Sequence, residues 1–281
     1  MTSQIPRAEL ERLLFDDAPH GDLTTETLGI AGRPGLMIFS ARNAMVAALT
    51  AEAAAILEMA GARVELCVED GQALAPGAEI LRALGPAGAL LRGWKVAQTL
   101  VEIWSGVATA ARDIVDAARA AAPDICVACT RKNTPGVKNF AVAAVKAGGA
   151  VMHRHGLSET ILVFPEHRAF LPADSLEDIA TRLRRAAPEK KLVIEVAGVA
   201  DGLAAAQAGF DVIQAEKFSA AAIAELVAQT RALPRPPVVA AAGGVSAANA
   251  RDYALAGAHI LVTSAPYAAV PRDVSVRISG L

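Results

Sequence analysis

The chain has 281 residues, of which 53% are hydrophobic and 20% charged, with a formal net charge of −2. That length makes one large domain or two ordinary ones, and the apolar share excludes a disordered chain. The near-neutral balance leaves no electrostatic footprint for nucleic acid or an anionic membrane, so any positive charge that matters is local.

The first fourteen residues carry Arg7, Glu9, Glu11 and Arg12 and no apolar segment, which is not the pattern of a signal peptide. Met45 to Met59 is the most apolar stretch, but Glu52 and Glu58 interrupt it, so it reads as an amphipathic helix and not a membrane insertion. Gly61-Ala62 and Gly71-x-x-Leu74-Ala75-Pro76-Gly77 read as turns between short strands, and a long helix follows from about Leu90 to Ala121. Cys67, Cys126 and Cys129 cannot build a disulfide framework, which fits a reducing cytoplasm. Cys126-x-x-Cys129 has the spacing of half a zinc knuckle, but no second pair exists. It lies in a strand-like run and reads as two buried small residues.

From residue 125 onward short apolar runs alternate with alanine-rich helical stretches. The runs are Ile125–Thr130, Ala150–His153, Ile161–Phe164, Leu192–Val196, Val212–Ala215, Val238–Ala241 and Ile260–Val262. Asp174-x-x-Glu177 reads as a capping box opening one helix, and Ala220 to Thr230 as another helix. Strand and helix in regular succession imply parallel strands with crossovers. Seven of them suggest an open (β/α) barrel, with a doubly wound sheet as the alternative. Thr130-Arg131-Lys132, His153-Arg154, Glu195, Glu216-Lys217, Gly243-Gly244 and Thr263-Ser264 all fall at or just after strand ends. In a parallel barrel those ends share one mouth, where such folds place their sites, so the barrel is the favoured reading. The expected organisation is an N-terminal α/β sandwich (α+β) domain over residues 1–108, with a strand at 270–281 returning to it. A barrel at 109–269 would carry the active site.

The residues Thr130-Arg131-Lys132-Asn133-Thr134-Pro135-Gly136 resemble the TRKT-x-PG signature of quinolinate phosphoribosyltransferases. Gly21-Asp22-Leu23-Thr24-Thr25 is similar to the GD(I/L)TT of that family, and Ser105-Gly106-Val107-Ala108-Thr109 to the SGIAT that opens its long helix. Gly148-Gly149 with His153-Arg154-x-Gly156-Leu157 is similar to GG…HR-x-GL, Gly243-Gly244-Val245 to SGGI, and Glu195 and Glu216 keep the acidic pair. The resemblance spans nearly the whole chain and implies a sandwich domain, an open barrel and a site shared across a homodimer or higher oligomer. Departures are also plain. Where the family has LIKDNH this chain has Leu162-Val163-Phe164-Pro165-Glu166-His167, and Glu216-Lys217 stands for an aspartate–asparagine pair. Ala242 replaces a serine, and Lys95 aligns with an arginine of the interdomain helix. With the ending Thr263-Ser264-Ala265-Pro266-Tyr267, these departures resemble the subgroup called ModD, pyrophosphorylase-like proteins associated with molybdenum transport.

The resemblance implies transfer of a phosphoribosyl group from phosphoribosyl pyrophosphate to a small heterocyclic acid, with Mg²⁺. Gly243 and Gly244, at a strand-to-helix turn, would let backbone N–H groups meet a phosphate at a helix N-terminus, with Thr263 and Ser264 as hydroxyl donors. Glu195 and Glu216 offer hard oxygens to Mg²⁺. Lys132 is a point charge suited to departing pyrophosphate, while Arg131 and Arg154 are planar forks suited to a carboxylate, assisted by His153. Lys138 and Lys95 are secondary basic candidates. Phe164, replacing a lysine, predicts that a diacid such as quinolinate is a poor acceptor and a monoacid a better one. Two other readings use the same barrel. One is aldolase-like chemistry at Lys132; the other is a non-catalytic phosphate- or oxyanion-binding accessory linked to molybdenum transport.

Overall fold

A computed structural model describes residues 5–281, which form two compact units. The first comprises the chain up to Arg112 together with Thr134–Gly149 and Pro266–Leu281; the second comprises Asp113–Asn133 and Ala150–Ala265. Among the described residues no helix is long and apolar enough to cross a membrane.

In the first unit α1 (Arg7–Asp17) and α2 (Leu23–Thr27) precede β1 (Pro34–Ala41), β2 (Met45–Val46), α3 (Thr50–Ala60), β3 (Arg63–Leu66), β4 (Ala73–Leu74), β5 (Glu79–Pro86) and α4 (Ala87–Arg119). β1 alternates strictly, burying Met37, Phe39 and Ala41 on one face, the signature of a half-buried strand. It pairs antiparallel with β5 and with the closing strand Val274–Gly280, and β5 pairs antiparallel with β3. The helix expected over Met45–Met59 starts later, at Thr50. Leu49 adopts a left-handed φ of 58°, and the Asp70 carboxylate accepts from the N–H groups of Leu49 and Thr50. A cap supplied from twenty residues away leaves no local sequence signal, and Met45–Val46 pairs with β4 instead. Gly61, with φ 110°, ends α3 in the left-handed conformation that suits glycine.

Ser105–Thr109 lies in the middle of the 33-residue α4 and does not open it. There Thr109 and Ser105, both buried, accept from the N–H groups of Val46 and Ala48. The helix α5 (Lys138–Ala147) belongs to this unit because Phe140 stacks on Trp104 and Arg112 Nε donates to the Gly148 carbonyl.

The second unit holds β6 (Cys126–Cys129), β7 (Val151–Met152), β8 (Ile161–Val163), β9 (Leu192–Val196), β10 (Val212–Glu216), β11 (Val238–Ala242) and β12 (Ile260–Thr263). Every pairing is parallel, in the order β7-β6-β12-β11-β10-β9-β8. β7 and β8 are the two edges, so this is an open α/β barrel and not a doubly wound sheet. Its helices are α6 (Pro165–Arg168), α7 (Leu176–Ala186), α8 (Val199–Gln207), α9 (Ala220–Arg231) and α10 (Ala250–Leu255). The capping box of α7 is Ser175 with Asp178, one residue after the expected Asp174–Glu177 pair. Asp174 is instead ion-paired with Arg182. Cys129 is buried, its thiol pushed up to about 12 by desolvation, whereas Cys126 is only half-buried.

Candidate active site

Successive side chains of a strand point to opposite faces, so residues two apart share one. Val212, Ala240, Ala242 and Val262 form a buried cluster against which Val193, Val238 and Ile260 pack. Two residues beyond Val193 stands Glu195; two and four beyond Val212 stand Gln214 and Glu216. The same alternation that fills the core with small apolar groups thus delivers polar groups to its C-terminal end.

There a cavity of about 440 Å³ opens, lined entirely by the second unit. Its basic wall is Arg131, Lys132, His153 and Arg154, and its acidic wall is Glu166, Glu195 and Glu216. Gly243, Gly244, Thr263 and Ser264 form the rest of the polar rim, with Phe164 and Gln214 between the walls. Lys95 and Lys138 do not line it. Lys95 lies over the Trp94 ring at 4.1 Å and bonds Gln98 at 3.2 Å, and Lys138 begins α5.

Arg154 is only 7% exposed, yet no carboxylate among the described residues pairs with it. Its guanidinium sits 5.7 Å from the centre of the Phe164 ring, which also stacks on His167 at 5.8 Å. Burial, and then repulsion from Arg131, pulls its pKa below the usual arginine value. A guanidinium still keeps its proton at neutral pH, so an unpaired buried charge stands waiting for an anion. His153 titrates below its ordinary range, chiefly through burial and then through Arg154 beside it. The imidazole therefore faces the cavity neutral at pH 7.

Glu195 and Gln214 are register partners on adjacent strands. Gln214 Nε2 donates to Glu195 Oε2 at 2.7 Å. Desolvation raises the Glu195 pKa, the Gln214 bond opposes it, and the charges of Glu216 and Glu166 add to the rise. Neither Gln214 nor Glu166 stood out in the sequence. Gln214 is a lone polar residue in an otherwise apolar strand before Glu216, and Glu166 is one carboxylate of a four-residue helix. The signal for Gln214 was its position two before Glu216, which puts both on one face.

The double glycine is held by its surroundings. Gly243 and Gly244 have φ of 81° and 85°. Thr263 Oγ1 donates to the Val245 carbonyl at 2.7 Å and accepts from Ala265 N–H, so its proton is committed to the turn. Ser264 has no such bond among the described residues. Asn249 closes the other side through the Ser246 N–H and the Gly244 carbonyl. The turn does not run straight into a helix: α10 begins only at Ala250 and has six residues. Any anion here is met by backbone N–H groups of the turn and not by a helix dipole.

The quinolinate phosphoribosyl transferase C-terminal domain matches residues 107–277 and the N-terminal domain of the same family matches residues 22–105. The chain is 48% identical over 241 residues to the protein named "Putative pyrophosphorylase ModD" of Rhodobacter capsulatus, covering 86% of this chain and 93% of that one. It is 31% identical over 211 residues to the human carboxylating nicotinate-nucleotide pyrophosphorylase, covering 75% and 70% of the two chains. In fold it superposes on NadC from Streptococcus pyogenes with a TM-score of 0.91 at 23% identity over 100% of both chains.

Proposed function

The chain belongs to the quinolinate phosphoribosyl transferase family, and on that footing we propose that it transfers phosphoribose from phosphoribosyl pyrophosphate to a carboxylated N-heterocycle. The lone pair of the ring nitrogen forms the new bond to C1 of the ribose, and the C1–oxygen bond breaks with its electrons leaving on pyrophosphate. The observation that carries this reading is the presence, in the lining of one cavity, of an unpaired buried guanidinium and two strand-end carboxylates. Arg154 and Arg131 hold the acceptor carboxylate. The backbone of Gly243 and Gly244, with Ser264, holds the donor's phosphate. Lys132, an exposed point charge at the rim, meets the negative charge growing on pyrophosphate.

Among the described residues no three Asp, Glu, His or Cys side chains could hold a metal. A pair of strand-end carboxylates suits Mg²⁺, which takes few protein oxygens and fills its shell with water and phosphate. Glu195 and Glu216 are the residues that would hold it, and bound there it would neutralise the pyrophosphate. An aldolase-like role for Lys132 is disfavoured by its exposure, since an amine activated for Schiff-base chemistry is normally desolvated.

The test is to incubate the protein with phosphoribosyl pyrophosphate, Mg²⁺ and a panel of heterocyclic acids and to measure pyrophosphate release. Release with at least one acid is expected, together with calorimetric donor binding that EDTA and Glu216→Gln both weaken about tenfold or more. Metal-independent donor binding, unchanged in the variant, refutes the carboxylate assignment. Absence of release with every acid would favour the accessory, non-catalytic reading.

A further inference from the structure

The cavity contains a buried hydrogen-bond acceptor without a partner, Gln214 Oε1, and an exposed carboxylate, Glu166, that no donor among the described residues engages. Gln214 is 4% exposed, and while its Nε2 serves Glu195, its Oε1 is buried without a partner. The His153 imidazole stands close enough for Gln214 to offset part of the lowering of its pKa by burial, yet the contact falls short of hydrogen-bond geometry at Gln214 Oε1. Glu166 lines the same cavity, and among the described residues no cation or N–H donor engages its carboxylate. Its charge is felt at Glu195.

A buried amide oxygen with no donor carries the full cost of its desolvation, a cost that a ligand N–H would offset. The charges of the wall decide what that ligand is. Three cations, Arg131, Lys132 and Arg154, face three carboxylates, Glu166, Glu195 and Glu216. In the proposed reaction Lys132 is engaged by pyrophosphate, and Glu195 and Glu216 by the metal. What remains in the cavity for the acceptor is the guanidinium pair, the Phe164 ring against Arg154, and, beside Glu195, Gln214 Oε1 and Glu166. A second carboxylate would meet a ring and a like charge, whereas an N–H group would meet two acceptors.

We propose that the acceptor is a heterocyclic monoacid bearing an amino or lactam N–H, read by Gln214 Oε1 and Glu166, while Arg131 and Arg154 read its one carboxylate. This rests on the transferase reading for the identity of the site, and it is tested by binding so that the two can fail separately.

Isothermal calorimetry would compare nicotinate, quinolinate, 5-aminonicotinate and 6-aminonicotinate, each with and without Mg²⁺ and pyrophosphate. The wild type is expected to bind at least one amino derivative about tenfold or more tighter than nicotinate, and quinolinate weakest, because a site built for a donor rejects analogues lacking it. Glu166→Gln and Gln214→Leu should each shrink the amino advantage to about threefold or less. Because Glu166 is exposed, its variant keeps the fold even where Gln214→Leu does not. Glu166→Lys should invert the order toward quinolinate. A wild type that binds nicotinate as tightly as both amino derivatives, or a preference that persists in both neutral variants, overturns the proposal. Pyrophosphate release assayed with the same ligands separates the two readings. Selective binding without release sinks the transferase reading and leaves this one standing; release without selectivity does the reverse.

Discussion

Gly243 and Gly244 look interchangeable in sequence and share a positive φ, but only Gly243 is packed against the Glu216 side chain. A Cβ built on Gly243 would lie 2.6 Å from Glu216 Oε1 and 2.8 Å from Lys217 Cγ, whereas one on Gly244 would meet nothing within 4 Å. Gly244→Ala should therefore lose about 1–2 kcal/mol of stability, the cost of a left-handed L-residue, and Gly243→Ala more, because its Cβ also displaces Glu216 and Lys217, readable as a larger shift in denaturant midpoint. Only Gly243→Ala also pushes the Glu216 carboxylate aside, so only it should lose donor affinity, by about tenfold or more. Equal loss of affinity in the two would mean that the glycines act through backbone N–H approach alone. The same residue-scale view explains what the sequence hid. Glu195 and Glu216 announced themselves as carboxylates in apolar strands. The Thr263 proton given to Val245, and the Gln214 oxygen left with nothing, depend on rotamers and on neighbours from other strands.

At the scale of elements, the barrel strands are legible because each is a short apolar run and most are closed by a polar group, and the observed β9 spans the expected Leu192–Val196. Helix ends were less so. Ser175 caps α7 by accepting from Asp178 N–H at 3.1 Å, and Asp178 Oδ2 returns to Ser175 N–H at the same distance. The sequence also offers Asp174-x-x-Glu177, and nothing local decides between two boxes one residue apart. Alanine substitution separates them. Ser175→Ala should cost about 0.5–2 kcal/mol as a lost N-cap. Asp174→Ala should cost about 0.2–1 kcal/mol, because it removes only a partly exposed ion pair with Arg182. Thermal or urea denaturation that ranked the two the other way would return the cap to Asp174. The start of α3 was illegible for a different reason: its cap, Asp70, comes from a distant turn.

For the whole molecule, the chain changes rhythm near residue 125, which suggests two parts, but the units divide at Arg112 and not at residue 108, and Val274–Gly280, which pairs with β1, offers only a three-residue alternation. The assignment of Thr134–Gly149 to the first unit could not be read, because it depends on Phe140 meeting Trp104. Lys95 poses the remaining question at this scale. It belongs to the first unit, on α4, does not line the cavity, and is held by Trp94 and Gln98. If it serves catalysis in the manner the family resemblance implies, it does so in the site of a second copy, and the active species is a homodimer or larger. Lys95→Ala and Glu195→Gln chains, each inactive alone, should then regain activity on mixing, because some hybrid dimers carry one site with both residues intact. With random exchange of equal amounts, half the dimers are hybrids with one intact site each, so recovery should approach about a quarter of the wild-type rate. Subunit exchange is verified independently with differently tagged chains. Exchange without recovery would place Lys95 outside the reaction, as a helix-surface lysine packed on an indole, and would leave the cavity of each chain to work alone.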